Sequence, residues 1–257
     1  MRRLWVRWLC LLVFVAVLGT VFVTMGDWQL RRLDQRQQRN VATTANEAKP
    51  VVGFERVFDA PIKDADQWQR VEARGEFIAD NQLLVRYRNN NDASGYEVVT
   101  PLRTTSGVTL MVDRGFVAVE KGNQIPLAAP APPTGLVTVI GHVRRNEEGR
   151  KGALHPVSGQ MRLINAPAIA ATLPYPIVVN GYISALTVDP SQGEEFVAVA
   201  VPELSDGPHF WYAVQWFMFT GIGVLGLVVF IRGDIRVRRE DAGSDEAKEP
   251  TPASTGS

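Results

Sequence analysis

Histidines are the residues of this chain with the clearest capacity for chemistry, and there are three of them, His142, His155 and His209. No two are spaced as metal ligands on one predicted element, and neither a carboxylate pair nor a cysteine joins them. The single cysteine, Cys10, excludes an intramolecular disulfide and a cysteine-based metal site. The sequence therefore predicts no multi-ligand metal centre and leaves chemistry at single positions.

Serine and acidic residues give no pattern typical of an active site either. The pairs Ser94-Gly95 and Ser158-Gly159 lack the flanking glycines of a nucleophile elbow. The pair Asp113-Arg114, at the end of a predicted strand, is typical of a structural contact. We therefore expect no catalytic residues and no enzyme activity.

His209 differs from the other histidines in its surroundings. It directly precedes an aromatic cluster that includes Tyr212 and Trp216, at the start of a long apolar stretch. Histidine is a common haem iron ligand, and an aromatic, partly dry environment suits a porphyrin. The alternative is an interfacial histidine that hydrogen-bonds to lipid headgroups or loop carbonyls. The residues alone leave both roles open.

The apolar stretch after His209 is long enough to cross a membrane. Phe210 to Ile231 comprises 22 residues without a charged side chain. A helix of that length reaches about 33 Å, whereas the hydrocarbon core of a bilayer is about 30 Å thick. Aromatic rings at its start and arginines after its end are typical of the two membrane interfaces. Within it, Gly221–Gly226 matches a dinucleotide-binding pattern, but a mid-membrane position favours a packing face for another helix.

A second apolar stretch lies at the start of the chain. Arg2, Arg3 and Arg7 are followed by Trp8 to Met25, which is 18 residues without a charge. A cleaved signal peptide would also begin with arginines and an apolar core. The run is longer than a usual signal-peptide core, however, and no small-x-small cleavage site follows it. These features favour an uncleaved first membrane helix.

The distribution of arginines predicts an orientation. Arginines outside both spans place the two termini in the cytoplasm and the middle of the chain outside it. Four arginines between residues 31 and 39 oppose this orientation, although long translocated domains count weakly in the rule. The predicted segments are a cytoplasmic N-terminus (1–7), a first transmembrane helix (8–26), an extracytoplasmic β-rich domain (27–209), a second transmembrane helix (210–231) and a disordered cytoplasmic tail (232–257).

The polar middle of the chain is predicted to form a β domain. Residues 29–48 have a helix-forming composition with almost no apolar face, so they should continue the first helix and fray between Thr43 and Pro50. Further on, apolar residues alternate with polar ones as in strands. The predicted strands are 71–77, 83–87, 96–100, 108–119, 137–143 and 176–186, with a turn at 89–92 and a short helix at 166–173.

The fold class predicted from these patterns is a membrane protein, in which two transmembrane α-helices flank a mostly antiparallel β (α+β) extracytoplasmic domain. The formal net charge is zero, so the composition gives no indication of nucleic-acid binding.

Five motifs, in order along the chain, resemble those of the surfeit locus protein one family of cytochrome c oxidase assembly factors. They extend from the end of the first span into the second, in the family order and with the two-helix architecture. The motifs are Gly26–Leu33 (GDWQLRRL), Gly95–Leu102 (GYEVVTPL), Val112–Val117 (VDRGFV), Gly141–Arg144 (GHVR) and His209–Phe217 (HFWYAVQWF). Any one of them alone would be weak evidence.

The resemblance implies an assembly factor for haem-copper cytochrome c oxidase that delivers or holds haem a for subunit I. His209 would contact the haem and its iron, and Trp28, Tyr212 and Trp216 would line the surroundings. The implied partners are subunit I or its assembly intermediates and membrane lipid, and they could include haem a synthase. The implied location is a bacterial plasma membrane.

The resemblance also assigns an architectural role to Arg114-Gly115, in which the arginine ties a strand end and the glycine permits a close backbone approach. The chain departs from the family pattern at two places. Phe116 stands where the family usually has Trp. Gly207-Pro208 precedes His209 where relatives often carry Asn, so a polar partner for the histidine is expected to be missing.

Three other classes of protein remain as alternatives. A ligand-free docking or structural subunit of the oxidase complex would share the same architecture. A sensor needs a cytoplasmic output module, and only 25 residues follow Arg232. A membrane-anchored hydrolase is disfavoured by the lack of a nucleophile–base pair. The first alternative differs from a haem carrier by whether the purified protein contains haem.

Overall fold

The computed structural model describes residues 2–120, 126 and 128–246. The chain divides into two compact units, residues 1–37 with 205–257, and residues 38–204. The first unit is helical and contains both apolar stretches. The second unit is the β domain.

Two long helices form the first unit. Helix α1 is Arg2–Glu47, whose last residues belong to the β domain, and helix α4 is His209–Glu246. Both are long and apolar enough to cross a membrane, with mean hydropathy of 2.5 and 2.1 over their apolar windows. The prediction of two apolar helices on either side of a β-rich domain is therefore confirmed.

The two helices pack through one face of each. Phe22 lies against Trp216, with ring centroids 5.6 Å apart. One turn further along α1, Gly26 faces Phe217 so closely that a Cβ at this glycine would lie 2.7 Å from the ring. Small residues at such contacts let helix backbones approach in the absence of a hydrophobic driving force. Gly26 is therefore the position where α1 can least tolerate a side chain.

A polar contact joins the two helices at the opposite end of the pair. The indole nitrogen of Trp8 donates a hydrogen bond to Oδ2 of Asp234 at 2.8 Å, and Arg7 forms an ion pair with the same carboxylate. The Arg7 guanidinium also lies 5.0 Å from the centre of the Phe230 ring. One acidic residue on α4 thus fixes the register of this end of α1.

The glycines of the second span pack less than the sequence predicted. Only Gly223 of the Gly221–Gly226 stretch meets α1, with its Cβ position 3.8 Å from Val15. Gly221 and Gly226 have open space at their Cβ positions in the described part of the chain, because they project from other sides of the helix. The predicted packing against another helix is therefore seen at Gly223 and not at Gly221 or Gly226.

The second helix also continues beyond the predicted span. Residues 232–246 are helical, although we predicted a disordered tail from 232. An i,i+4 pair between Arg236 Nε and Glu240 Oε1, 2.9 Å apart, supports the helix there. Residue 1 of the predicted N-terminal segment and residues 247–257 of the tail lie outside the described residues.

The described residues of the β domain form eight strands and two short helices. The strands are β1 (Val52–Gly53), β2 (Arg70–Phe77), β3 (Leu83–Asn90), β4 (Ala93–Thr104), β5 (Thr109–Ala118), β6 (Val137–Arg144), β7 (Gln160–Met161) and β8 (Tyr182–Asp189). The helices are α2 (Lys151–Leu154) and α3 (Ala166–Ala170), and single 3-10 turns lie at Phe54–Arg56, Asp64–Asp66 and Ala79–Asn81.

The sheet closes on itself. Its strand order is β1-β2-β6-β8-β5-β4-β3-β7, and β2 also pairs with β4. Strands β2, β6, β8, β5 and β4 therefore form a closed ring. Most pairs are antiparallel, as predicted, whereas β1–β2, β3–β7 and β5–β8 are parallel. Closure removes the exposed edges that an open sheet of these strands would present.

Apolar residues fill the ring and cover one side of it. Val71, Leu110 and Val112 belong to the cluster inside the ring. Met111, on the opposite face of β5, packs with Ile169 of α3 in a second cluster. Strand β5 is thus buried on both faces, which explains why the apolar residues Leu110, Met111 and Val112 follow one another without alternation.

Helix α1 ends at Glu47, within the range predicted for its end, where the Asn46 amide donates to the carbonyls of Ala65 and Gln67, at 2.7 and 2.8 Å. Other boundaries differ from the prediction. The predicted turn at 89–92 shrinks because Asn90 stays in β3, where it bonds to the backbone of Ala198 and Ala200. The strand predicted from Pro176 begins only at Tyr182.

Candidate functional site

His209 is the first residue of α4, and its ring is held by a side chain of α1. The His209 Nδ1 atom lies 2.7 Å from Oε1 of Gln29. An amide oxygen only accepts hydrogen bonds, so with the amide in this orientation Nδ1 carries the hydrogen. The Nε2 atom then has its lone pair available, and no hydrogen bond to it occurs among the described residues. This arrangement is that of a metal-ligating histidine held by a second residue.

The contact with Gln29 corrects an expectation from the sequence. Gly207-Pro208 was expected to leave His209 without a polar partner, yet the partner comes from a residue 180 positions earlier in the chain. Gln29 was not singled out as a site residue. The only signal that could have found it is its place next to Trp28 in the motif that follows the first span.

The segment before His209 is tied to α1. The Arg36 Nη1 atom donates to the carbonyl of Ser205 at 3.4 Å, and Gln37 Nε2 donates to Asp206 Oδ2 at 3.0 Å. Gly207 has φ of +66°, and a Cβ there would lie 2.9 Å from Arg36 Nη1. Glycine is therefore favoured at this turn by its conformation, whereas the end of the Arg36 side chain could move aside for a Cβ.

The predicted aromatic residues occupy different parts of the helix pair. His209, Tyr212 and Trp216 share one face of α4 by their i, i+3, i+7 spacing. Trp216 packs against Phe22, whereas Tyr212 and Trp28 are 47% and 45% exposed. The ring of Trp28 lies under the Arg32 guanidinium at 5.6 Å. In the described part of this unit, no ring contact joins Trp28 to the residues on α4.

The chemistry available here is that of one imidazole nitrogen beside exposed aromatic rings. Among the described residues, no group of three or more His, Cys, Asp or Glu side chains could hold a metal ion. A porphyrin supplies the other ligands of its iron, so the one free imidazole nitrogen of His209 and the aromatic rings near it fit such a group.

The other residues singled out from sequence have structural roles in the β domain. Arg114 donates to the carbonyl oxygens of Pro130 and Ala131, at 2.8 and 3.1 Å. Gly115 has φ of +129°, and a Cβ there would lie 2.8 Å from the carbonyl oxygen of Val197. The close backbone approach predicted for Gly115 agrees with these contacts. Arg114 lies in the middle of β5 and not at a strand end, and it ties this strand to the segment at Pro130 and Ala131.

Residues 16–221 match the SURF1 family. A SURF1-like protein of Mycobacterium tuberculosis is 30% identical over 251 residues, covering 95% of this chain and 90% of the relative. The surfeit locus protein 1 of Xenopus tropicalis is 29% identical over 161 residues, covering 55% of this chain and 48% of the relative. A yeast protein named cytochrome oxidase assembly protein SHY1 is 25% identical over 112 residues, covering 41% of this chain and 29% of the relative. The match to the family extends over most of the chain, from within the first apolar helix into the second, and the chain therefore belongs to the SURF1 family.

Proposed function

We propose that this protein is a membrane-anchored assembly factor for haem-copper cytochrome c oxidase, and that it holds haem a for subunit I without catalysing a reaction. Family membership and the name of the yeast relative support the assembly role. The observation that carries the haem proposal is the 2.7 Å contact between His209 Nδ1 and Gln29 Oε1, because it leaves Nε2 free to bind iron.

Each residue of the site has a separate task in this proposal. His209 presents Nε2, and Gln29 fixes the tautomer and the plane of its ring. Trp28, Tyr212 and Trp216 supply apolar surface on which a porphyrin can lie. A bound haem would supply an iron that accepts a nitrogen ligand. A single protein ligand from a half-buried position suits temporary holding, because the haem must later leave for the oxidase.

The proposed location is a bacterial plasma membrane, with both termini in the cytoplasm and the β domain outside it. Arginines outside both spans support this orientation. The proposed partners are subunit I or its assembly intermediates, and haem a synthase as the source of the haem.

The test is to co-express the full chain with a haem a synthesis pathway, purify it in mild detergent and record its absorbance. We expect a haem a spectrum in the native protein and its loss in His209→Ala. His155→Ala is the matched control, because it removes a histidine from the β domain and should leave the spectrum unchanged. A spectrum that survives His209→Ala would contradict the assigned ligand, and no haem in the native protein would favour the ligand-free docking subunit.

A deletion strain tests the assembly role independently of haem binding by the purified protein. We expect lower haem a content and activity of the oxidase, with recovery when the native gene is restored. An oxidase of normal haem content and activity in that strain would contradict the assembly role.

A further inference from the structure

The β domain contains a polar cavity of about 300 Å³ that lies wholly within residues 68–202. Its wall includes two arginines, Arg88 and Arg144, and two almost fully buried residues with ionisable groups, Glu97 and Tyr182. None of these residues belongs to the helix pair that contains His209. The cavity is therefore a different site from the one at His209.

The other two carboxylates of the wall already have partners. Asp113 accepts hydrogen bonds from Ser184 Oγ at 3.0 Å and from the Gly115 amide at 3.1 Å. Glu147 accepts from Arg88 Nη2 at 2.8 Å and from the Ile164 amide at 2.7 Å. These two side chains hold the domain together and do not offer an acidic site for a cation.

The unused groups of the wall are hydrogen-bond donors. Tyr182 is 2% exposed, and its hydroxyl has no hydrogen-bond partner in the described part of the domain. Arg144 donates through Nε to Gln67 Oε1 at 3.2 Å, and its guanidinium lies 4.0 Å from the ring centre of Trp68. Its two terminal nitrogens make no hydrogen bond to a described residue. Both residues line the cavity, so their donors are available to a ligand that accepts hydrogen bonds.

Glu97 adds a third donor at neutral pH. Burial and the neighbouring Asp113 raise the pKa of Glu97 to about 8, so this carboxyl group carries a proton in the folded protein. The Arg88 Nε atom lies 2.8 Å from Glu97 Oε2. With Glu97 neutral, the two arginines balance the charges of Asp113 and Glu147, and the cavity does not repel an anion.

Two strained aromatic residues also line this cavity. Trp68 has φ of +72° and Tyr87 has φ of +60°. Tyr87 lies at the register shift of β3 between Arg86 and Arg88. Bulky residues adopt this conformation only where their surroundings enforce it, and such strain concentrates at binding sites. Both strained residues therefore line the same cavity as the available donors, and this supports a binding site there.

We propose that this cavity binds a carboxylate, held by the terminal nitrogens of Arg144 and the hydroxyl of Tyr182. A guanidinium group presents paired donors that match a carboxylate. The cavity volume suits a small free acid or the last residue of a polypeptide chain, and both present the same group. The proposal is independent of haem binding.

Binding should depend on pH through Glu97. The charged and titratable groups facing it are Arg88 on β3, Asp113 on β5, Arg144 on β6, Tyr182 on β8 and Glu147 after β6. When the pH rises through about 8, Glu97 loses its proton, and the cavity loses a donor and gains a negative charge. Carboxylate affinity should therefore fall, whereas Glu97→Gln should retain affinity across this range.

The experiment uses the full chain in detergent, titrated with propionate and, as the matched neutral ligand, propionamide. We expect propionate alone to raise the melting temperature and to give a saturable calorimetric signal. Tyr182→Phe removes a hydroxyl without a protein partner, so it should fold normally and bind propionate about tenfold more weakly, the worth of one charge-assisted hydrogen bond. Arg144→Gln should weaken binding at least as much. Tyr175→Phe is the control. Its hydroxyl bonds to Asn81 at 2.8 Å and is not part of the cavity wall, so this variant should bind propionate as the native protein does.

A second arm distinguishes the sources of the carboxylate. It compares an acetylated dipeptide that has a free C-terminus with the same peptide amidated. Binding of the free-acid peptide but not of propionate would assign the site to a chain end. Equal binding of acid and amide ligands, unchanged binding in both cavity variants, or no binding of any acid would overturn the proposal.

Discussion

At the scale of single residues, the proposed haem contact depends on the tautomer of one imidazole. Gln29 accepts the hydrogen of Nδ1 and leaves the Nε2 lone pair available. Replacing Gln29 by Leu removes the acceptor at similar size, and Gln29→Glu retains it. We expect the Leu variant to lower haem a affinity by about 10- to 100-fold, the usual cost of losing such a partner, and the Glu variant to lower it less.

The measurement for this prediction is haem retained per protein after dilution in detergent, followed by absorbance. Equal retention by the Leu variant and the native protein would mean that Gln29 does not position His209. Retention lowered equally by both substitutions would indicate a packing role for Gln29.

A second residue-scale prediction concerns pH and stability. The folded protein keeps a proton on Glu97 up to about pH 8, whereas the unfolded chain loses it near pH 4.5. Because the folded state binds more protons across this window, stability falls as the pH rises through it. His142 acts in the opposite sense at lower pH, since burial lowers its pKa to about 4. The loss of stability caused by protonation of His142 in the unfolded chain is therefore absent above pH 6.5, the ordinary pKa of a histidine.

The range from pH 6.5 to 8 lies above the ordinary pKa of His142 and above the value of about 6 to which burial raises the pKa of Asp113, so Glu97 makes the largest change within it. We expect the melting temperature of the native protein to decrease over this range and that of Glu97→Gln to change less. Thermal unfolding of the detergent-solubilised chain at matched ionic strength measures both. A native melting temperature that rises over this range would contradict the protonated state of Glu97.

At the scale of elements, the helix pair is organised by its closest contacts. A side chain at Gly26 would meet the Phe217 ring, whereas Gly221 has open space among the described residues. We expect Gly26→Val to destabilise the helix pair by about 1–3 kcal/mol, as overpacking usually does. Gly221→Val introduces the same side chain and should change stability by less than about 0.5 kcal/mol.

Unfolding by sodium dodecyl sulfate in mixed micelles, followed by the fluorescence of the tryptophans, measures this difference. Equal loss of stability in the two variants would show that the helices do not pack through Gly26 and Phe217.

The elements also show what can be inferred from sequence. Alternating apolar residues gave the positions of β2, β3 and β6, because alternation is a local property of a half-buried strand. The closure of the sheet depends on the pairing of β2 with β4, which no local pattern encodes. Strand β7 has only two residues, Gln160 and Met161, and so has no period to detect.

The residues of the candidate site also differ in what the sequence indicates. The sequence singles out His209 because its aromatic neighbours are adjacent to it. It gives no sign of the contact with Gln29, because Gln29 reaches His209 only through the pairing of two helices. The cavity of the β domain draws Arg88, Glu97, Arg144 and Tyr182 from four strands. Glu97 and Arg144 lie in two of the family motifs, but no local pattern brings the four residues together.

At the scale of the whole molecule, the proposal predicts how the chain is oriented in the membrane. Both termini should lie in the cytoplasm and the β domain outside it. Cys10 is the only cysteine, so a Cys10→Ala background permits single-cysteine labelling. A cysteine at Ser106, in the turn between β4 and β5, should react with an impermeant thiol reagent in intact cells. A cysteine at Ser254 should react only after lysis.

Labelling of Ser254→Cys in intact cells, with protection of Ser106→Cys, would show the reverse orientation. That result would agree with the arginines between residues 31 and 39 and would place the β domain on the cytoplasmic side.

The central claim is that His209 holds haem a through Nε2. Its most direct test is the absorbance of His209→Gly purified after co-expression with haem a synthesis, with and without added imidazole. We predict that the haem a spectrum is lost in this variant and returns when imidazole occupies the space of the missing ring. A haem a spectrum that persists in His209→Gly without imidazole would contradict the claim.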